Sequence, residues 1–288
     1  QKSKPDSNDA YLVNCTAEYA APDWIFDACA PHTDDQEAFA YLVTAHNAVL
    51  RVKLSNLGSS RYPRAIFLQQ LVMGVKSILY SADIVAFGPS HIVIAGGTVF
   101  GEIIVWSCFL DRTSSSKPDA TAAIHHFFTG HEGSIFGVNI SQEVLDKDGR
   151  PKRFLASCSD DRTIRIWDIS DCCLATSADP SAYWTDGFEL RSTGFGSTAT
   201  ENVKAGSEKY VAKVYGHLSR IWKVKFLPTV TKHVQRINLI SAGEDTTCQL
   251  WLLELPLNPE QQYRLTNVTT LHRHAGKNIW SVALSSEP

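Results

Sequence analysis

The sequence has no run of about 18 apolar residues, so it offers no helix long enough to cross a bilayer. It has no Cys-x-x-Cys pair: seven cysteines at 15, 29, 108, 158, 172, 173 and 248 form an odd, scattered set. Such a set suits neither a disulfide framework nor a structural zinc site. No secretory leader is visible either, and the expectation is a reducing, cytoplasmic setting in which the Asn-x-Ser/Thr triplets at Asn14, Asn139 and Asn267 are accidental. Charge of one sign is also lacking. A net charge of −3 gives no bulk attraction for a phosphate backbone, so contact with nucleic acid would need a local patch. The chain opens on Gln1 with no initiator methionine, and further residues upstream are expected.

What is present is a repeat. Ile, an aromatic, any residue and then Ala or Val recur at Ile25–Ala28, Ile135–Val138, Ile221–Val224 and Ile279–Val282. Histidine stands just upstream of three of them, as Gly130-His131, Gly216-His217 and His274. Downstream of two come second halves that superpose without a gap, 154–169 and 239–253, so that Leu155 falls on Leu239, Ser157 on Ser241, Asp161 on Asp245 and Trp167 on Trp251. Weaker versions occur at 41–54, with Val52 for the Trp and His46 for the turn Asp, and at 91–108, with Trp106 kept and Phe100 in the Asp place. Every unit alternates apolar and polar residues with period 2 between Gly, Asn, Asp or Ser turns, and no long helical period intervenes. The fold class is therefore all-β, with antiparallel units arranged around an axis as a β-propeller.

These residues resemble the WD40-repeat family, whose repeat carries a Gly-His pair, a turn Asp and a Trp. The distance from His131 to Trp167 is 36 residues and from His217 to Trp251 is 34, both inside one blade of about 40 to 45 residues. The expected organisation is a single, incomplete propeller over 1–288. Its blades lie at about 20–55, 80–110, 127–170 and 213–255, with the start of another at 271–288 and loop insertions at 111–123 and 172–206. Four blades and the opening of a fifth imply part of a seven-bladed ring in a longer, multi-propeller protein. The resemblance implies a hydrogen-bonded tetrad in two blades: His131, Asp161, Ser157 and Trp167, then His217, Asp245, Ser241 and Trp251. On that reading the adjacent Asp160 points outward.

Enzyme chemistry finds little support. There is no Gly-x-Ser-x-Gly elbow, and Gly96–Gly101 lacks both the dinucleotide order and the Lys-Ser/Thr of a phosphate loop. His125-His126 and His272-x-His274 have no Cys or carboxylate at the short spacing usual for metal sites, so no metal is expected. His131 and His217 could act as bases beside Asp161 and Asp245, but one active site would not need the pairing twice. No catalytic residue and no cofactor are assigned. The candidate partner face is the rim just before each repeated Ile, namely Trp24, Glu132, Arg220, Lys277 and Asn278, with Asp23 and Ser134 beside them.

The wording "DWIFDA", "AYLVTAHNAVLRV", "TVFGEIIVWSC", "GHLSRIWKV" and "HAGKNIWSVAL" is similar to the N-terminal propeller region of one eukaryotic family. That family is the WD-repeat partner subunit of the tRNA 2′-O-ribose methyltransferase acting on the wobble nucleotide. The resemblance implies a non-catalytic scaffold whose partner is the methyltransferase subunit, with the tRNA anticodon arm as a second partner and neither membrane nor small-molecule substrate. The methyl donor would be bound by the partner. The competing reading is a general WD40 adaptor in ubiquitin transfer or vesicle traffic.

Overall fold

The structure is a computed structural model describing residues 23–30, 38–55, 64–74, 77–110, 120–174, 210–258, 260–272, 274–276 and 278–284. It contains four antiparallel four-stranded sheets, each one blade. Blade one is β1 (Ile25–Cys29), β2 (Ala38–Thr44), β3 (Ala48–Ser55) and β4 (Arg64–Met73); blade two is β5 (Leu79–Ala86), β6 (His91–Thr98), β7 (Ile103–Leu110) and β8 (Ala120–Phe128). Blade three starts with β9 (Ile135–Ile140), makes a two-stranded side hairpin from β10 (Val144–Leu145) and β11 (Pro151–Lys152), and continues with β12 (Phe154–Ser159), β13 (Thr163–Asp168) and β14 (Ala212–Tyr215). Blade four is β15 (Ile221–Phe226), β16 (Arg236–Gly243), β17 (Cys248–Glu254) and β18 (Arg264–Leu271).

Strand order within each blade follows the chain, and the first strands β1, β5, β9 and β15 contact one another in sequence. Each blade therefore turns its first strand towards a shared axis and its fourth outward. This is the all-β WD40-type propeller arrangement.

Three apolar clusters fill the three seams between successive blades. Tyr41, Val49, Ile94 and Trp106 lie between blades one and two; Val93, Val105, Leu155 and Trp167 between two and three; Phe154, Ile166, Leu239 and Trp251 between three and four. The Trp of each third strand thus plugs the seam with the blade before it. Truncating a buried aromatic of this kind costs about 3–5 kcal/mol. Middle strands have both faces covered, which is why β12 and five of the six residues of β13 are buried. β18 is mostly exposed or half-buried, because no described strand packs beyond blade four.

The second hairpin of every blade turns through one residue at positive φ, five positions before the Trp or its equivalent. These are Asn47 (61°), Gly101 (78°), Arg162 (65°) and Thr246 (65°). Glycine and asparagine take this left-handed conformation cheaply, whereas a β-branched threonine does not.

The structure departs from the sequence reading at the insertions and at the fifth blade. The outer strand β8 begins at Ala120, so the last residues of the 111–123 stretch are strand; their small side chains pair with Leu110 to Ser107 of β7. Residues 170–174, overlapping the start of 172–206, form a 3-10 turn. Residues 278–284, where an opening strand was expected, are in no ladder, since no described strand lies alongside to pair with them. They are tied to blade four through Ile279 N–H donating to Gly243 O at 3.1 Å.

Candidate functional site

The loop before each inner strand and the turn of the second hairpin meet at one end of the blade. In three blades the hairpin N–H donates to the loop carbonyl: Ala45 to Trp24 at 2.9 Å, Asp160 to Ser134 at 3.2 Å and Glu244 to Arg220 at 2.9 Å. Side chains then lock the junction. In blade three the Trp167 Nε1–H donates to Ser157 Oγ (2.9 Å), Ser157 Oγ lies 2.8 Å from His131 Nε2, and His131 Nδ1 lies 2.8 Å from Asp161 Oδ2. One assignment satisfies every atom: indole to Ser oxygen, Ser hydroxyl to Nε2, and Nδ1–H to the carboxylate, with a neutral imidazole. Asp161 also accepts from Thr163 Oγ1–H (2.7 Å), Thr163 N–H (2.8 Å) and Glu132 N–H (3.1 Å), which ties turn to loop.

Blade four repeats this network. Trp251 Nε1–H donates to Ser241 Oγ (2.9 Å), Ser241 Oγ is 2.7 Å from His217 Nε2, and His217 Nδ1 is 2.9 Å from Asp245 Oδ1. Asp245 accepts from Thr247 Oγ1–H at 2.8 Å and Leu218 N–H at 2.8 Å. Burial strips water from an imidazolium and outweighs the neighbouring carboxylate, so His131 and His217 are both shifted below the ordinary histidine value. Burial alone would raise Asp161 and Asp245, but the bonds from His and Thr overcome it and hold both below the usual carboxylate range.

A Ser, a His and an Asp linked in this order is also the geometry of a hydrolytic triad. Two observations separate the cases. Ser157 and Ser241 are fully buried, and each hydroxyl oxygen already accepts an indole N–H, so neither can reach a substrate carbonyl. The network is structural.

Blades one and two solve the same junction with other residues. Gly96 occupies the Ser place in blade two, and a Cβ there would meet Leu79 Cδ2 at 2.7 Å. With no hydroxyl available, the Trp106 Nε1–H crosses the seam and donates to Asn47 Oδ1 of blade one at 2.8 Å. Gly74 lies against this indole as Gly216 lies against Trp251, so Gly74 holds the place of the glycine in the Gly-His pair. In blade one the pair is inverted: the turn supplies His46 and the loop supplies Asp23, whose Oδ2 accepts from His46 N–H at 2.9 Å and lies 2.9 Å from His46 Nδ1.

A second set of side chains joins the inner strands from blade to blade. Asp27 Oδ2 accepts from Ile84 N–H (3.2 Å), Asp83 Oδ2 from Ile140 N–H (2.7 Å), and Asn139 Oδ1 from Phe226 N–H (2.8 Å). Burial raises Asp83 to about 7 against the opposing Ile140 bond, and the nearby Asp27 charge adds to the rise.

Of the rim residues, Trp24 is 78% exposed, Glu132 and Arg220 are exposed, and Asn278 is half-buried at φ 61°. Lys277 lies outside the described residues. Asp160, expected to point outward, is half-buried instead: its Oδ1 folds over Gly133, whose missing side chain leaves the room, and accepts from Ser159 Oγ at 3.3 Å. The aromatics that follow the repeated Ile meet in a row of tilted rings, Phe136 against Trp222 at 4.6 Å and Trp222 against Trp280 at 4.4 Å. Tyr80 joins the row 5.8 Å from Phe136 and was missed in the sequence because Leu79 replaces the signal Ile. His125 and His126 diverge, His125 Nε2 to Ser107 Oγ at 2.6 Å and His126 Nε2 to Asp171 Oδ1 at 2.8 Å. His91 Nε2 meets the same Ser107 Oγ at 2.7 Å. Burial first, helped by the charges of Arg153 on His91 and of His126 on His125, pushes both down to about 4.

A family model for the WD domain, G-beta repeat, matches residues 123–168 and 208–251, covering the blades that hold complete tetrads. Curated relatives share lower, longer similarity. The chain is 27% identical over 232 residues to the tRNA (34-2'-O)-methyltransferase regulator WDR6 of Rattus norvegicus, covering 80% of this chain and 15% of that protein. It is 27% identical over 184 residues to the Homo sapiens protein of the same name, covering 64% and 12%. It is 24% identical over 298 residues to the Drosophila melanogaster protein of that name, covering 97% and 24%. The chain spans between 12% and 24% of the length of these three relatives.

Proposed function

Taking this chain as a WD40-repeat β-propeller, we propose that it is a non-catalytic scaffold that binds a tRNA 2′-O-ribose methyltransferase subunit and supports methylation of the wobble nucleotide. The observation that carries the reading is the similarity to proteins named as regulators of that methyltransferase, which reaches across all four blades. The geometry agrees with it. The Ser, His and Asp side chains that could have been reactive are spent on holding blades rigid, and a rigid disc presents loops at fixed positions.

The face that meets the partner is the end where loops and hairpin turns join, with Trp24, Glu132, Arg220 and Asn278 on it. Trp24, exposed on a loop where its N–H donates to the Asp23 carboxylate and its carbonyl accepts from Ala45 N–H, has the character of a contact hot spot. The tRNA anticodon arm is the second partner, the methyl donor is held by the methyltransferase, and the complex works in the cytoplasm.

The test is purification of the tagged full-length protein with identification of bound proteins and RNA, alongside measurement of wobble-ribose methylation in cells lacking it. A co-purified methyltransferase, lost methylation, and weaker capture by Trp24→Ala are expected. Unchanged methylation would sink the proposal, and trafficking or ubiquitin-transfer partners in place of a methyltransferase would favour the adaptor reading.

A further inference from the structure

We propose that His126, Asp171 and Cys172 form a zinc site at the seam between blades two and three. His126 belongs to β8, the outer strand of blade two, while Asp171 and Cys172 belong to the 3-10 turn that follows β13 of blade three. One donor atom from each, an imidazole nitrogen, a carboxylate oxygen and a thiol sulfur, lie within 4.8 Å of one another. The carboxylate is the hub: Asp171 Oδ1 is 2.8 Å from His126 Nε2, and Cys172 follows Asp171 directly in the 3-10 turn. A proton shared between two of the three ligand atoms already holds them together, and a divalent cation would find the same attraction more strongly. On binding, the thiol proton leaves to solvent, the imidazole proton moves to Nδ1, and the carboxylate and thiolate together balance the charge of the ion.

The mixed nitrogen, oxygen and sulfur set selects zinc over the hard cations, which take oxygen ligands. Metal bonds of about 2.0–2.3 Å need the donors slightly further apart than a hydrogen bond leaves them. Asp171 can supply that movement, since its side chain is 59% exposed, and the open side leaves the fourth position to water. The other two ligands are held. Cys172 is fully buried with its N–H bonded to Ile169 O at 3.1 Å, and His126 lies flat on Phe128 at 4.8 Å and 10°. His125 is spent on Ser107 and is not a ligand. Because Phe128 stacks in turn on Trp167 (4.6 Å, 18°), an ion here would clamp a seam whose aromatic packing it adjoins.

The chain, freed of metal by chelator, is titrated with Co(II) and then Zn(II). One equivalent of Co(II) should give the near-ultraviolet thiolate charge-transfer band and the strong visible bands of four-coordinate cobalt, and one equivalent of Zn(II) should displace it. Cys172→Ser should abolish the charge-transfer band. Asp171→Asn and His126→Ala should weaken zinc binding by on the order of tenfold or more, while the exposed His272→Ala leaves it unchanged. Asp171→Asn alters an exposed side chain, so it separates lost affinity from lost folding. Absence of the charge-transfer band, or zinc binding that is unchanged in folded Asp171→Asn, would overturn the site.

Discussion

Replacing Ser157 with alanine removes one oxygen and leaves two partners behind. The Trp167 indole N–H, donating at 2.9 Å, and His131 Nε2, at 2.8 Å, both lose their only side-chain partner, and both residues are buried. Leaving a buried polar group unpaired costs about 1–3 kcal/mol, so two of them should cost about 2–6 kcal/mol. That is a large share of a total stability of roughly 5–15 kcal/mol. Urea unfolding of the chain should show a lower midpoint with an unchanged slope. In a Trp167→Phe background the indole donor is already absent, and the same Ser157→Ala change should cost about 1–2 kcal/mol less, as a coupling energy in a double-mutant cycle. Ser241→Ala in blade four should behave alike, since Trp251 and His217 hold the same places at 2.9 and 2.7 Å. A Ser157→Ala cost below about 0.5 kcal/mol, or no coupling to Trp167, would show that the network does not hold the blade.

Asn47→Gly keeps the left-handed turn but deletes the acceptor for Trp106 Nε1–H, and should lose about 1–3 kcal/mol in urea unfolding; a neutral result would mean that the seam needs no bond there. Thr246→Gly relieves a β-branched residue at φ 65°, and after the entropy of glycine is subtracted should raise stability by up to about 1 kcal/mol, seen as a higher Tm; a fall would contradict the strain argument. His91, His125, His131 and His217 all have folded values below the unfolded one of about 6.5, so the unfolded chain takes up protons first. Their contribution is complete above that value and should be lost as pH falls towards about 4, measured by urea midpoints at stepped pH; flat stability from about pH 7 to 5 would refute it. Asp83 has the opposite sign: its folded value is raised to about 7, so its contribution is complete below the unfolded carboxylate value and is lost as pH rises. Asp83→Asn should therefore stabilise the chain at about pH 8 and change little at acidic pH, and a loss at about pH 8 would refute the assignment.

Blades three and four were legible because their halves superpose residue for residue, and a repeat that keeps its spacing keeps its contacts. The resemblance names His131, Asp161, Ser157 and Trp167, and His217, Asp245, Ser241 and Trp251, as tetrads, and in the structure each serine hydroxyl links its histidine to its tryptophan. Blades one and two hid their solutions because function at the junction moved between residues. Trp106 finds its partner 59 positions away in another blade, and the His–Asp pair of blade one is exchanged between loop and turn. Outer strands such as β18 were missed because a strand without a packed partner beyond it has no alternation to read. The meeting of His126 with Asp171 and Cys172, across 45 positions, follows from blade adjacency, which no local pattern encodes.

Three bonds between inner strands point the same way, a side-chain oxygen of Asp27, Asp83 or Asn139 accepting from a peptide hydrogen of the blade that follows. Modules joined by such a polar, one-directional link are not interchangeable bricks. A blade inserted without such an oxygen would leave the peptide hydrogen of its successor without that acceptor, so engineered rearrangements of this chain must keep an acceptor at this place on the inner strand.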